Sequence, residues 1–225
     1  MEIKNVETIL LSCPVPKEHQ LDWDAGNTLR ELKVDMTIIK ITTDEGITGI
    51  GEASNYVDPK MVRMQIENFK PELIGKDPFE VEKLTESLRL RWTESSFLKF
   101  KEWVDKDAMD VIQPDCNLAG FNEARKAAIY ASYRGIPCCP HNWHNAITRA
   151  ANAQLIASVP NHFMLEMNMT WNHSCPAFKE EIVDEPIKVK NGYIDIPNRP
   201  GLGIELNEEA VKKYPYIEGP KSAPI

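Results

Sequence analysis

Between Met109 and Leu165 three short apolar runs (Met109 to Ile112, Gly135 to Cys139 and His162 to Leu165) alternate with two helical stretches, Asn122 to Tyr133 and Ala146 to Ala157. The links between them are only a few residues long. Parallel neighbours need a crossover of a dozen or more residues, and the alanine-rich stretches supply it, so this part of the chain is predicted to fold as parallel βαβ units. In such folds functional side chains gather just beyond the C-terminal ends of the strands. Each predicted strand leads to a chemically capable residue there. Asp115 follows Val111-Ile112-Gln113-Pro114, His141 follows Ile136-Pro137-Cys138-Cys139-Pro140, and Glu166 follows Phe163-Met164-Leu165. A carboxylate that accepts a hydrogen bond from an imidazole fixes its tautomer and raises its basicity, which suits a general base acting on a carbon acid. Taken singly, each has a plainer reading: Asp115 as a loop cap, His141 as a cap or a solvated residue, Glu166 as a surface carboxylate. Their recurrence at the same place in three successive units sets them apart.

The first 90 residues read differently. Residues 2 to 10 form a loose strand, and a polar stretch from Lys17 to Arg30 reads as a long loop. Val34, Met36 and Ile38 recur at period two, Asp44-Glu45-Gly46 supplies a turn, and Ile47 to Glu52 resumes the extended pattern, so residues 34 to 53 are predicted to be a β-hairpin. Asp58-Pro59 pairs an N-cap with a proline at the first helical position, and opens a helix over 59 to 70. Asp77-Pro78-Phe79-Glu80 repeats the device before a second helix that ends near Leu90. The unit is therefore α+β, a three-stranded sheet with two helices. Near the C-terminus, Asn191-Gly192 signals a further hairpin.

Composition narrows the partners. Lys and Arg number 26 against 34 Asp and Glu, a net charge of −8 that argues against nucleic acid or an anionic membrane. No apolar run approaches the ~18 residues of a membrane span, and Met1-Glu2-Ile3-Lys4 opens directly into alternating sequence, so a cytoplasmic protein is expected. Five cysteines, with Cys138 and Cys139 adjacent, make no disulfide framework, and adjacent residues on a strand face opposite ways, which disfavours zinc at Cys116, Cys138, Cys139 and His141.

The strings that carry the candidate residues also carry a resemblance. "DVIQPDCNLAGFNEARKAA" (Asp110 to Ala128), "GIPCCPHNWHNAI" (Gly135 to Ile147) and "FMLE" (Phe163 to Glu166) resemble the sixth, seventh and eighth barrel strands of the mandelate racemase/muconate lactonizing enzyme family, in the enolase superfamily. "ITTDEGITGIGEAS" (Ile41 to Ser54) and "ELIGKDPFEVEKL" (Glu72 to Leu84) resemble its capping domain, and "GYIDIPNRPGLGIEL" (Gly192 to Leu206) its closing segment. The resemblance implies an α/β fold with an α+β capping domain: a cap at residues 1–90, to which 182–206 return, a partial (β/α) barrel at 91–181, and a tail at 207–225. It also implies proton abstraction next to a carboxylate, with Mg²⁺ holding the enediolate. On that pattern His141 and Asp115 match the base dyad, Glu166 matches the carboxylate that meets the substrate, and Asn142 and His144 would contact substrate. Glu94, within "TESSFLKF" (Thr93 to Phe100), is the candidate metal ligand, with a helix cap as its plainer reading.

A cap and a complete barrel of roughly 250 residues exceed what 225 residues supply, so the resemblance implies a barrel without its first strands, and without most of the metal carboxylates. The implied activity is an acid-sugar dehydratase, weakened or lost in this form. The alternatives are a racemase or epimerase of the same family, or a non-catalytic module that binds a carboxylate or a full-length homologue. Self-association is expected, because an open parallel sheet leaves unpaired edges.

Overall fold

The computed structural model describes residues 1–20, 29–54, 57–89, 97–168 and 175–224. Alternating apolar residues build its first layer. Strand β1 (Ile3–Pro14) pairs antiparallel with β3 (Lys33–Thr43), facing Ile9 with Ile38 and Leu11 with Met36. A turn through Gly46, whose φ of +81° suits a residue without Cβ, leads to β4 (Thr48–Ala53), which places Glu52 opposite Ile38. The three-stranded sheet and the hairpin over 34 to 53 match the sequence reading. A short strand, β2 (Leu29–Glu31), lies in the stretch read as a loop, of which residues 21–28 fall outside the described ones.

Helix α1 (Pro59–Leu73) starts where its cap directs: Asp58 accepts from the Lys60 amide at 2.8 Å, and Pro59 sits where no N–H is needed. Helix α2 is Val81–Arg89 and α3 is Phe97–Asp105. The Phe97 amide that opens α3 donates to Glu123 at 3.0 Å, so a side chain 26 residues away supports that end.

The barrel-like half follows: α4 (Cys116–Ala119), α5 (Phe121–Ser132) and α6 (Ala146–Ala157). The expected strands are parallel and in the expected order, but each is reduced to a single bridge, Ile112 to Cys138 and Cys138 to His162. Four backbone bonds make the ladder: Ile112 N to Pro137 O at 2.9 Å, Cys139 N to Ile112 O at 3.0 Å, Cys138 N to Asn161 O at 2.8 Å and Phe163 N to Cys138 O at 3.0 Å. Pro114, Pro137 and Pro140 explain its shortness, since a proline has no N–H to extend a ladder.

The C-terminal part returns to the cap. A π-helical turn spans Ala177–Glu181, and β5 (Val189–Lys190) pairs with β6 (Tyr193–Ile194) across Asn191 and Gly192, both at positive φ as an Asn-Gly hairpin turn requires. Residues 207–225, read from the sequence as a tail, contain helix α7 (Glu208–Lys213) and strand β7 (Ser222–Pro224), the latter paired with β2. Asn207 caps α7 with two bonds of 3.2 Å, an N-cap signal that the sequence reading passed over.

Two cores result. One joins Leu11, Val34, Met36 and Ile38 of the sheet to Ile147 and Ala150 of α6 and to Phe178 and Ile182. The other packs Val104, Ile112 and Cys138 against the alanine face of α5 (Ala124, Ala127, Ala128, Ala131) and Leu155 of α6. Helix α6 belongs to both. Beside the last bridge, Phe163, Met164, Tyr193, Ile194 and Ile196 line an apolar groove of about 930 Å³. Among the described residues no helix is long and apolar enough to cross a membrane.

Candidate active site

Asp115 occupies the N-cap of α4, with φ and ψ of −111° and 120°, and its Oδ1 accepts from the Asn117 amide at 2.7 Å. This is the plainer role foreseen for it, and it leaves Oδ2 for other work. Nδ1 of His141 and Nε2 of His144 both lie 2.9 Å from that oxygen. A carboxylate can only accept, so each facing ring nitrogen carries the proton. In its neutral form His141 then presents an unprotonated Nε2, which makes no hydrogen bond among the described residues, and the side chain is 32% exposed. Asp115 and His144 are buried behind it.

The two-fold hydrogen bonding sets the ionisation. Burial pushes the Asp115 carboxyl up, but the two imidazoles and the Asn117 amide outweigh it and hold the carboxyl down at about 2. The bond to Asp115 raises His141 above its ordinary value against the opposing effect of burial, with Glu166 adding to the rise. The imidazole is thus made more basic by a partner that stays ionised.

Glu166 reaches the same place and does something else. Its Oε2 accepts from the Asn142 amide at 2.8 Å, its Oε1 from Trp143 Nε1 at 2.8 Å, and its carbonyl from Asn142 Nδ2 at 2.9 Å. The segment after His141 is therefore tied to the end of the third strand line. Asn142 and His144, which the resemblance would set against substrate, are both fully buried. Asn142 meets Glu166, and His144 meets Asp115. Glu94 lies outside the described residues.

Sequence reasoning overlooked two further participants. Glu52, at the end of β4, accepts four bonds from the start of α6, and Asn152 Nδ2 donates to the His141 carbonyl at 3.0 Å. The only sequence signal for Glu52 was a lone acid closing a strand within the capping-domain string.

Among the described residues one group of three potential ligands converges, Asp115, His141 and His144. It offers two imidazole nitrogens and one oxygen, whereas Mg²⁺ takes an octahedron of oxygens. The set does not fit that ion. No cysteine joins this group among the described residues, and burial pushes the Cys138 and Cys116 thiols up, away from the reactive thiolate.

A cap of this form over parallel strands that end in an Asp/His pair defines a capped (β/α)-barrel architecture, here with a partial barrel. The family comparisons agree. The model of the enolase C-terminal domain-like family matches residues 91–210, and that of the mandelate racemase/muconate lactonizing enzyme N-terminal domain matches 25–108. The chain belongs to the mandelate racemase/muconate lactonizing enzyme family of the enolase superfamily. Among curated relatives, D-galactarolactone cycloisomerase of Agrobacterium fabrum is 34% identical over 116 residues, which is 48% of this chain and 30% of that protein. D-xylonate dehydratase of Haloferax volcanii is 35% identical over 130 residues, 56% of this chain and 30% of the relative. The chain thus spans about three tenths of the length of these relatives. Similar folds are found in an enolase-superfamily member from Polaromonas (TM-score 0.74, 17% identity, covering 98% of this chain and 99% of that one) and the 3,6-anhydro-D-galactonate cycloisomerase of Zobellia galactanivorans (TM-score 0.74, 17% identity, 95% and 99%).

Proposed function

We propose that this chain carries the proton-transfer half of an acid-sugar dehydratase, with turnover far below that of a complete family member. The observation that carries the reading is the 2.9 Å contact between His141 Nδ1 and Asp115 Oδ2, which leaves Nε2 basic and accessible. In this reading Nε2 takes the proton alpha to the carboxylate of a polyhydroxy acid, and the resulting imidazolium is stabilised by Asp115. The same nitrogen, once protonated, can return its proton to a departing hydroxyl. His144, Asn142 and Glu166 act as supports: His144 shares the carboxylate of Asp115, and Glu166 fixes the two residues after His141. The named activities of the relatives, sugar-acid dehydration and cycloisomerisation, supply the substrate class. No step is assigned to a metal, since the described residues do not offer its ligands.

Deuterium exchange tests this directly. D-xylonate, D-gluconate and D-galactonate are incubated with the protein in D₂O at saturating Mg²⁺, the ion that the family resemblance implies, and the alpha proton is followed by NMR. Slow exchange that vanishes in H141N is the expected outcome. Exchange in none of the sugars, or exchange that survives H141N, would overturn the reading.

A further inference from the structure

The start of α6 has an anomaly. Asn145 stands at the N-cap, where a polar side chain ordinarily accepts from the amides of the first turn, yet its side chain makes no such bond. Its Nδ2 instead donates outward, to Oε1 of Glu52 at 2.9 Å. The Asn145 amide also reaches Oε1, at 3.3 Å, while the Thr148 amide and hydroxyl reach Oε2 at 3.1 and 3.0 Å. One carboxylate therefore does the capping for a helix whose N-cap lies 93 residues later in the chain. Its charge is placed where the helix dipole favours it.

The connection continues through Asn117. Its amide donates to Asp115, and its Nδ2 donates to the Glu52 carbonyl at 2.9 Å and to Thr148 Oγ1 at 3.2 Å. Glu52 thus touches both segments of the dyad: the turn that holds Asp115, and the helix whose first residue lies five after His141.

We propose that Glu52 is a positioning residue of the capping domain, whose carboxylate sets the register of the 141–148 segment and thereby the His141–Asp115 contact. The proposal rests on the reading of His141 as the base. Its test reads geometry rather than turnover, so it can fail while that reading stands. The groups facing His141 are Asp115 and Glu166, with the His144 ring edge-on and the Trp143 ring stacked; Arg149 lies near Glu52.

In Glu52→Gln the amide NH₂ must turn toward groups that are themselves donors, which removes acceptors from Asn145 or Thr148 without changing size. Amide hydrogen exchange at whichever of these two residues faces the NH₂ is expected to accelerate about tenfold, the loss of one bond to a charged acceptor. The NMR titration midpoint of His141 should fall toward that of an ordinary imidazole, and Glu52→Asp should recover part of both effects. A general loosening of the fold would accelerate exchange in β1 and β3 equally and would show no recovery with Asp. Unchanged exchange at 145 and 148, or an unchanged His141 midpoint, in folded E52Q would overturn the proposal. Should E52Q not fold, T148V, which keeps the carboxylate and removes the hydroxyl that donates to Glu52 and accepts from Asn117, provides the same two readings: a faster amide at position 148 and a lower midpoint are expected, and no change in either overturns it.

Discussion

Asp115 serves two imidazoles with one oxygen, and the cost and benefit of that arrangement appear in its pH response. The carboxyl titrates at about 2 in the fold against an ordinary value of 3.8, so its stabilising effect is complete above pH 3.8 and is lost as the pH falls toward 2. His141 is raised, so its contribution is complete below its ordinary value of 6.5 and disappears as the pH rises through the folded value. The pair therefore adds most between about pH 4 and 6.5. In D115N, urea unfolding across pH 2 to 8 should lose about 2 kcal/mol of acid-dependent stability, and the NMR midpoint of His141 should drop toward 6.5. An unchanged midpoint would show that Asp115 does not act on His141. Asp115 and His141 were legible because position after a strand is encoded locally. The roles of His144 and Glu52 were not, since no periodicity reports which oxygen a buried ring will meet, or that a strand-end acid will cap a helix some 90 residues away.

Among the elements, α5 shows why small residues were needed. Ala124, Ala127, Ala128 and Ala131 are fully buried and let the helix lie close against Ile112 and Cys138, where a ladder of single bridges provides little scaffold of its own. A128L should cost about 1 to 3 kcal/mol in urea unfolding through overpacking, although leucine is a good helix former. Equal or greater stability would mean that the interface holds free space. Helix α6 was read to the residue as a crossover between two apolar runs, and both hairpins from their turn residues. The three barrel strands were read correctly in order and direction but too long. Apolar runs announce burial, and the prolines within and beside them decide how many hydrogen bonds can form.

At the scale of the molecule, α6 contributes Ile147 and Ala150 to one core and Leu155 to the other, so neither can dissolve without disturbing it. Tryptophan fluorescence and far-UV circular dichroism should report one coincident urea transition, and two separated transitions would show the cores to be independent. If a second copy covers the apolar groove between Phe163 and Met164 and the β5–β6 hairpin, the transition midpoint rises with protein concentration. A midpoint that stays constant would mean that the groove is uncovered in solution.

The segment from His141 to Thr148 is held by three carboxylates, those of Glu52, Asp115 and Glu166, each from a different part of the chain and all within it. Its rigidity is therefore self-contained. The His141–Asp115 contact is thus braced at both ends of the segment that carries it.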